Sequence, residues 1–331
     1  MMRMVVPSDG ELYQATQDFL GACGLAIERN SHRQYTAIIP SLKDSSVLFQ
    51  RATDITLRVE DGSSEMGIVG LDRYMEYHKE DGDTLILIDD LGFGSCDLVI
   101  AVPDGWADVM HMSDLADMSI AFREKGSDLR VATKYPRLVQ NYLFANGVNY
   151  FSLVSAGGTL EAAPAMEYAD VIADISVSGA TLRENRLRIL KDGIVYTSQA
   201  CLIGNKQLLG ESNSKLDTAR IVLERMEAYL RAGEFYSITA NIQSGSAETI
   251  ASKLMNRPDI AGIKGPTVSK VYSMEDDDWY SVTVVVAKEL IMEAVDHLRS
   301  IGGSGLTVTK PNYIFNGDCQ ANIRLLQSLN R

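Results

Sequence analysis

Residues 169–190 read ADVIADISVSGATLRENRLRIL, and their reading decides the fold class. VIADI is an apolar run that ends in an acid; Ser176, Val177, Ser178, Gly179 and Ala180 then form a small-residue loop, and a helix begins near Thr181. A strand feeding a helix through a tight loop is the repeating unit of an α/β protein. Successive backbone N–H groups in such a loop, with the positive end of the following helix, suit a phosphate. Gly179 lets the backbone approach closely, the Ser178 and Thr181 hydroxyls add donors, and Asp174 can accept from sugar hydroxyls or hold a metal-bound diphosphate. Ser and Thr also cap helices for structural reasons alone, so these residues read equally as a phosphate cradle or as a plain N-cap. The loop matches neither Walker A nor G-x-G-x-x-G, which sets ordinary P-loop and Rossmann sites aside.

The same alternation extends outward. RMVVP at 3–7 is a short strand, SDG a turn, and 11–22 a helix with Leu12, Ala15, Phe19 and Leu20 on one side. Further strands are expected at 65–70, 84–90, 97–103, 129–136 with a helix to about 145, and 148–154. Several are continuous Val/Ile/Leu runs, as expected for parallel strands covered on both faces. After a long helix at about 214–232 the character changes. Strand 234–242, helix 246–256, strand 266–273, an acidic EDDD turn at 275–278, strand 279–287, helix 288–301 and strand 305–311 give the βαββαβ order of a ferredoxin-like domain. A tail ending in the short helix ANIRLLQSLN follows.

The chain has 331 residues, which fits two or three domains of about 100 to 200 residues each. It carries 31 Lys plus Arg against 44 Asp plus Glu, a net charge of −13, whereas a nucleic-acid binder shows a basic excess or stripe. No apolar run approaches the length of a membrane span, and the N-terminus lacks a secretory signal, so the expected compartment is the cytoplasm. Cys23, Cys96, Cys201 and Cys319 form no C-x-x-C pair and read as buried free thiols. His32, His78, His111 and His297 form no metal-binding or triad spacing.

Beyond the loop, the sequence resembles the ATP phosphoribosyltransferase family, the first enzyme of histidine biosynthesis, in its long, self-regulated form. The resemblance rests on Glu161-Ala162-Ala163-Pro164, then Ala169-Asp170, Ile172, Asp174, Ser178-Gly179 and Thr181-Leu182. Arg51-Ala52-Thr53-Asp54-Ile55 and the stretch from Glu65 to Asp72 resemble two more family segments, and LGFGSCDLVIAVP, LRVATKYP, SQACLIGNK, GPTVSKVY and IGGSGLTV extend the match over nearly the whole chain. The tail KPNYIF resembles plant-type members.

The resemblance implies a two-lobed, periplasmic-binding-protein-like α/β body with the active site between the lobes, followed by a regulatory ferredoxin-like domain. Lobe I would hold 1–103 and about 186–232, lobe II 104–185 and the regulatory domain 233–331, with the chain crossing between lobes near 103 and returning near 185. The implied reaction joins N1 of ATP to C1 of phosphoribosyl pyrophosphate and releases diphosphate, with Mg²⁺ on the diphosphate near Asp174. The 5′-phosphate would sit in the loop from Ser176 to Thr181, Asp174 and Glu161 would approach the ribose, and Arg51 would face phosphate with Asp54 orienting it. Further substrate contacts are implied at Gly10, Leu12, Gly70, Asp72 and Gly94. Thr267, Gly303, Ser304 and Gly305 would admit histidine as feedback inhibitor; from the residues alone, GGSG is a helix C-cap and turn. AMP is a second candidate inhibitor, and a homo-oligomer is implied, a hexamer with a dimer as the alternative.

One departure stands out. Where family members carry a basic P-x-K-G-R-L type motif, this chain has Pro7-Ser8-Asp9-Gly10-Glu11-Leu12. Reversing a contact with phosphate is costly, since two unit charges about 4 Å apart interact by about 4 kcal/mol at an effective dielectric of 20. Lys134, Arg137 and Arg183 can compensate or can simply be surface charge. The acidic loop also motivates an alternative, a noncatalytic homologue that binds nucleotide or histidine as a regulator, while a solute-binding protein fits the two lobes but not the C-terminal domain.

Overall fold

The computed structural model describes residues 1–31, 33–155, 159–272 and 278–329. They fall into two compact units, Met1–Ala219 with Arg324–Arg331, and Arg220–Ile323.

The first unit is built on two sheets. The chain begins with β1 (Met2–Pro7), α1 (Glu11–Ala22), β2 (Thr36–Ala37), β3 (Ser45–Gln50), α2 (Ala52–Glu60), β4 (Met66–Gly70), α3 (Leu71–Tyr77) and β5 (Thr84–Ile88). It then builds β6 (Cys96–Pro103), α4 (Met112–Glu124), β7 (Leu129–Thr133), α5 (Pro136–Ala145), β8 (Phe151–Ser155), β9 (Val171–Ser176), α6 (Ala180–Glu184) and β10 (Leu187–Ser198). It returns through β11 (Ala200–Asn205), α7 (Lys206–Gly210) and the long α8 (Asn213–Ala232), inside which the second unit begins. Lobe I is the sheet β2-β3-β1-β4-β11-β5 and lobe II the sheet β10-β6-β9-β7-β8.

Two expectations change here. The continuous apolar runs suggested parallel strands, yet β6, at the expected 97–103 run, is antiparallel to β9, and the expected strands β4 and β5 are both antiparallel to β11. Apolar continuity reports burial on both faces, which Leu98–Val102 has, and carries no strand direction. Because β6 and β10 pair with each other in the second sheet, the chain changes lobe between Ile88 and Cys96 and again at Gln199, not near 103 and 185. β2, β3, β10 and β11 were not foreseen. β3 buries alternate residues, and β10 has polar insertions and register shifts that hide its period.

The second unit continues with β12 (Phe235–Gln243), α9 (Ala247–Met255), β13 (Thr267–Val271), β14 (Trp279–Ala287), α10 (Ile291–Ser300), β15 (Gly303–Thr309) and α11 (Gln320–Ser328), the last of which runs on into the first unit. Its sheet order β13-β14-β12-β15 is antiparallel throughout, with α9 and α10 packing Ile250, Leu254, Val295 and Leu298 against Ile238, Ala240, Val282 and Val284. This is the expected ferredoxin-like domain. The EDDD turn lies outside the described residues except for Asp278, which pairs with Lys270 at 3.0 Å.

Candidate active site

The two crossings between lobes run side by side. Leu91 N–H donates to the Ala200 carbonyl and Ala200 N–H to the Phe93 carbonyl, both at 2.9 Å, while Leu71 N–H donates to the Gln199 carbonyl at 2.8 Å. α3 of lobe I is further joined to the start of α5 in lobe II. Glu76 accepts the N–H groups of Arg137 and Leu138 at 2.9 and 3.0 Å, capping a helix whose first residue is Pro136.

One turn earlier on α3, buried Asp72 gathers a polar cluster. Its Oδ2 accepts the Tyr135 hydroxyl at 2.6 Å, its Oδ1 accepts the Ser198 hydroxyl at 2.7 Å, and its own N–H donates to Ser198 Oγ at 2.9 Å. The expected substrate contact at Asp72 is thus a joint between α3, β7–α5 and β10. Gly70 is required beside it, because a Cβ there would collide with Asp72 Oδ1. Burial, then the nearby Asp72 carboxylate, pushes the Tyr135 hydroxyl pKa well up, so Tyr135 stays a donor.

Arg73 follows on the cleft side. Its guanidinium lies over the Tyr135 ring, 4.1 Å from the centroid, with Nε 3.8 Å from Asp72 Oδ2. With Lys134, Thr53, Thr133, Tyr77 and Ser155 it lines an interlobe cavity of about 350 Å³. Lys134 is exposed at the end of β7.

Asp174 and Glu161 are close enough to feel each other. Burial, the largest effect, raises the Asp174 pKa, and the Glu161 carboxylate raises it further. The Ile175 N–H, Lys134 and Arg73 pull it down without cancelling the shift. The structure therefore brings Asp174, Glu161, Lys134 and Arg73 into one electrostatic neighbourhood. The loop that follows Asp174 is as expected in course: Gly179 is left-handed, with φ 70°, and leads into α6. Part of its donor capacity is turned inward, since Gly179 N–H donates to Ser176 Oγ at 2.9 Å and Ala180 N–H to Ser178 Oγ at 3.4 Å. Val177, Ser178, Ala180 and Thr181 are exposed.

Other expected residues separate. Arg51 is exposed at the N-cap of α2, and no ion pair joins it to Asp54 among the described residues; Asp54 accepts the Thr53 hydroxyl at 3.2 Å instead. Gly10 caps α1, and Leu12 packs on Gly94 and Gly70. Asp9 and Glu11 are exposed there. Burial first, then the charges of Asp72 and Asp97 and of Glu11, push the Cys96 thiol up to about 11. Of the proposed compensating cations, Lys134 faces the cavity, Arg183 lies over the loop with Nη1 2.9 Å from where a Gly179 Cβ would be, and Arg137 is engaged by the His78 carbonyl and Glu80.

In the second unit, Thr267 opens β13 and Gly303, Ser304 and Gly305 lie in β15. These are opposite edges of the sheet, three strand spacings or roughly 14 Å apart. One chain does not assemble them into a single pocket.

Arg73, Tyr135 and Ser198 escaped the sequence reading as site residues. Each lies in or beside a segment that carried the resemblance, but nothing in one sequence says that the three segments converge.

A two-lobed α/β body with two cations lining its interlobe cavity, and with the Asp174 carboxyl within electrostatic reach of both, is the build of an enzyme acting on small anionic substrates. Sequence comparison narrows this class. The family described as HisG, ATP phosphoribosyltransferase, matches residues 51–228, and the one described as HisG, C-terminal domain, matches residues 232–312. ATP phosphoribosyltransferase 1, chloroplastic, of Arabidopsis thaliana is 36% identical over 334 residues, 99% of this chain and 81% of that protein. The ATP phosphoribosyltransferase of Nitrobacter hamburgensis is 30% identical over 325 residues, 97% and 96% of the two chains. The chain belongs to the ATP phosphoribosyltransferase family. A solved ATP phosphoribosyl transferase (HisG:HisZ) complex from Thermotoga maritima shares its fold over 69% of this chain and 98% of that one, with a TM-score of 0.53 and 22% identity. No helix among the described residues is long and apolar enough to cross a membrane.

Proposed function

We propose that this protein transfers the 5-phosphoribosyl group of phosphoribosyl pyrophosphate to N1 of ATP, the first step of histidine biosynthesis. The observation that supports it is the electrostatic proximity of Asp174 to Glu161, Lys134 and Arg73, with the 176–181 loop following directly after β9, in a chain that matches the family over almost its full length. The N1–C1 bond forms as the C1–O bond breaks, and diphosphate leaves with the electron pair. No protein nucleophile is needed, so catalysis rests on positioning and on charge complementarity to an oxocarbenium-like centre. In its ionised form Asp174, with Glu161, faces that cationic centre; the loop takes the 5′-phosphate, Lys134 the departing diphosphate, and Arg51 with Gly10, Leu12, Gly70 and Gly94 the ATP side.

Mg²⁺ fits the donors present. Among the described residues no three His, Cys, Asp or Glu side chains come together, so Asp174 and Glu161 would supply one or two ligands and phosphate oxygens and water the rest, the usual Mg²⁺ arrangement. Bound there, the ion neutralises diphosphate charge. The free cysteines accord with a reducing compartment, and we assign the cytoplasm.

Feedback inhibition by histidine belongs to the same proposal. Because Thr267 and Gly303–Gly305 sit on opposite sheet edges, a histidine touching both sets needs two copies of the domain, which ties inhibition to a homo-oligomer. A hexamer, with a dimer as the alternative, is to be read by sedimentation with and without histidine. The test of function is the absorbance rise on forming phosphoribosyl-ATP from ATP, phosphoribosyl pyrophosphate and Mg²⁺. Turnover suppressed by histidine supports both halves; folded protein that binds nucleotide and never turns over favours a noncatalytic regulator and sinks the proposal.

A further inference from the structure

The wall of the interlobe cavity carries a charge opposite to that of the chain. Among the described residues its lining holds Arg73 and Lys134 and no acid, in a protein of net charge −13, and adds the hydroxyls of Thr133 and Ser155; that of Thr53 donates to Asp54. Two cations and the Thr133 and Ser155 hydroxyl donors facing about 350 Å³ suit a ligand with many acceptor oxygens and several negative charges.

Arg73 is the better organised cation of the two. It comes from lobe I, immediately after Asp72, and its side chain is only 16% exposed. The Tyr135 ring supports one face of the guanidinium, and Asp72 holds its Nε side from 3.8 Å. Asp72 is itself fixed by Tyr135 and Ser198 through hydrogen bonds of 2.6 and 2.7 Å. Among the described residues the Arg73 guanidinium makes no hydrogen bond, in contrast to Arg137, whose Nη1 and Nη2 donate to the His78 carbonyl and Glu80. A planar fork with its orientation set and its donors unengaged is preorganised for phosphate. The loop after β1 offers no such charge, since Asp9 and Glu11 are its ionisable groups.

We propose that this cavity is a polyphosphate subsite and that Arg73, seated on Tyr135 and braced by Asp72, is its phosphate-binding cation. The assignment rests on the proposed transferase site and adds a residue to it: the occupant is a run of linked phosphates, from the diphosphate of phosphoribosyl pyrophosphate or from the triphosphate of ATP. Lys134 approaches the same phosphates from lobe II, so the ligand joins the two lobes.

The test uses the full chain and inorganic pyrophosphate with Mg²⁺, with affinity measured by isothermal titration calorimetry. Removing a hydrogen bond to a charged group weakens binding about 10- to 100-fold, the change expected for Arg73→Met. Arg73→Lys keeps the charge but not the fork and is expected to lose about 3- to 10-fold. Arg123→Met, on α4 and away from the cavity, is expected to leave the affinity unchanged. Near-ultraviolet circular dichroism establishes that each variant is folded, and Arg73→Lys carries the test if Arg73→Met is not. Steady-state kinetics then identify the occupant: a raised KM for phosphoribosyl pyrophosphate alone marks its diphosphate, and a raised KM for ATP alone marks the triphosphate. Pyrophosphate that fails to bind the wild-type chain, or binds the Arg73 variants as tightly, overturns the subsite. Wild-type turnover alongside such a result leaves the transferase reading standing, and pyrophosphate binding lost with Arg73 in a chain that never turns over does the reverse.

Discussion

The loop after β9 and the cluster around Asp72 are built on opposite plans. The loop is a contiguous run that offers backbone donors at the surface, where Val177 is 69% exposed. The cluster is drawn from three distant segments and is closed to water: Asp72, Tyr135 and Ser198 are 4%, 0% and 1% exposed. A surface loop can change without leaving a buried polar group unpartnered, whereas each buried donor or acceptor stripped of its partner costs about 1–3 kcal/mol. Damage to the loop should therefore appear in rate, and damage to the cluster in stability as well.

The sharpest way to break this contrast is Gly179→Glu. It places a carboxylate where phosphate is to bind, and phosphoribosyl-ATP formation is expected to fall about 1000-fold, about 4 kcal/mol. The residue must then hold φ 70°, so thermal stability should drop by only about 1–2 kcal/mol. Calorimetry and initial rates on one preparation check both. Asp72→Ala reverses the balance. It strands the Tyr135 and Ser198 hydroxyls, and about 3 kcal/mol of stability should be lost, or about 6–12 °C in Tm, with a rate loss near tenfold through Arg73. Tyr135→Phe should cost about 1–2 kcal/mol, because Ser198 still serves Asp72.

Asp174 sharpens the comparison through pH. Its pKa is raised, chiefly by burial, so between the ordinary carboxylate value of about 3.9 and the raised one the folded chain binds more protons than the unfolded chain. Its contribution to stability falls as pH climbs through that window. Asp174→Asn should therefore raise Tm at neutral pH while slowing turnover about 100-fold, and the acid limb of wild-type kcat/KM should lie above the ordinary carboxylate range. The smallest effect is expected outside the cleft: Thr267→Val should leave the uninhibited rate unchanged and weaken inhibition by histidine, measured as the concentration for half-inhibition.

What the sequence disclosed follows the same division. The 169–190 run was legible because strand, loop and helix are neighbours in the chain, and the βαββαβ order was legible because turns and periodicity are local. The Asp72, Tyr135 and Ser198 joint was not, since Tyr135 and Ser198 are reached only after 63 and 126 residues of chain. Strand direction was also hidden: β6 is as apolar as a parallel strand because Leu98–Val102 are buried on both faces. Arg51 with Asp54 shows the opposite error, neighbours in sequence whose side chains do not pair.

The central claim is that the interlobe cleft, with its loop and its carboxylates, transfers phosphoribosyl to ATP. Its most direct test is the initial rate of phosphoribosyl-ATP formation by the wild-type chain beside Gly179→Glu at equal folded concentration. Rapid turnover by the first and about 1000-fold less by the second is the expected result; equal rates, or none from either, would contradict the account.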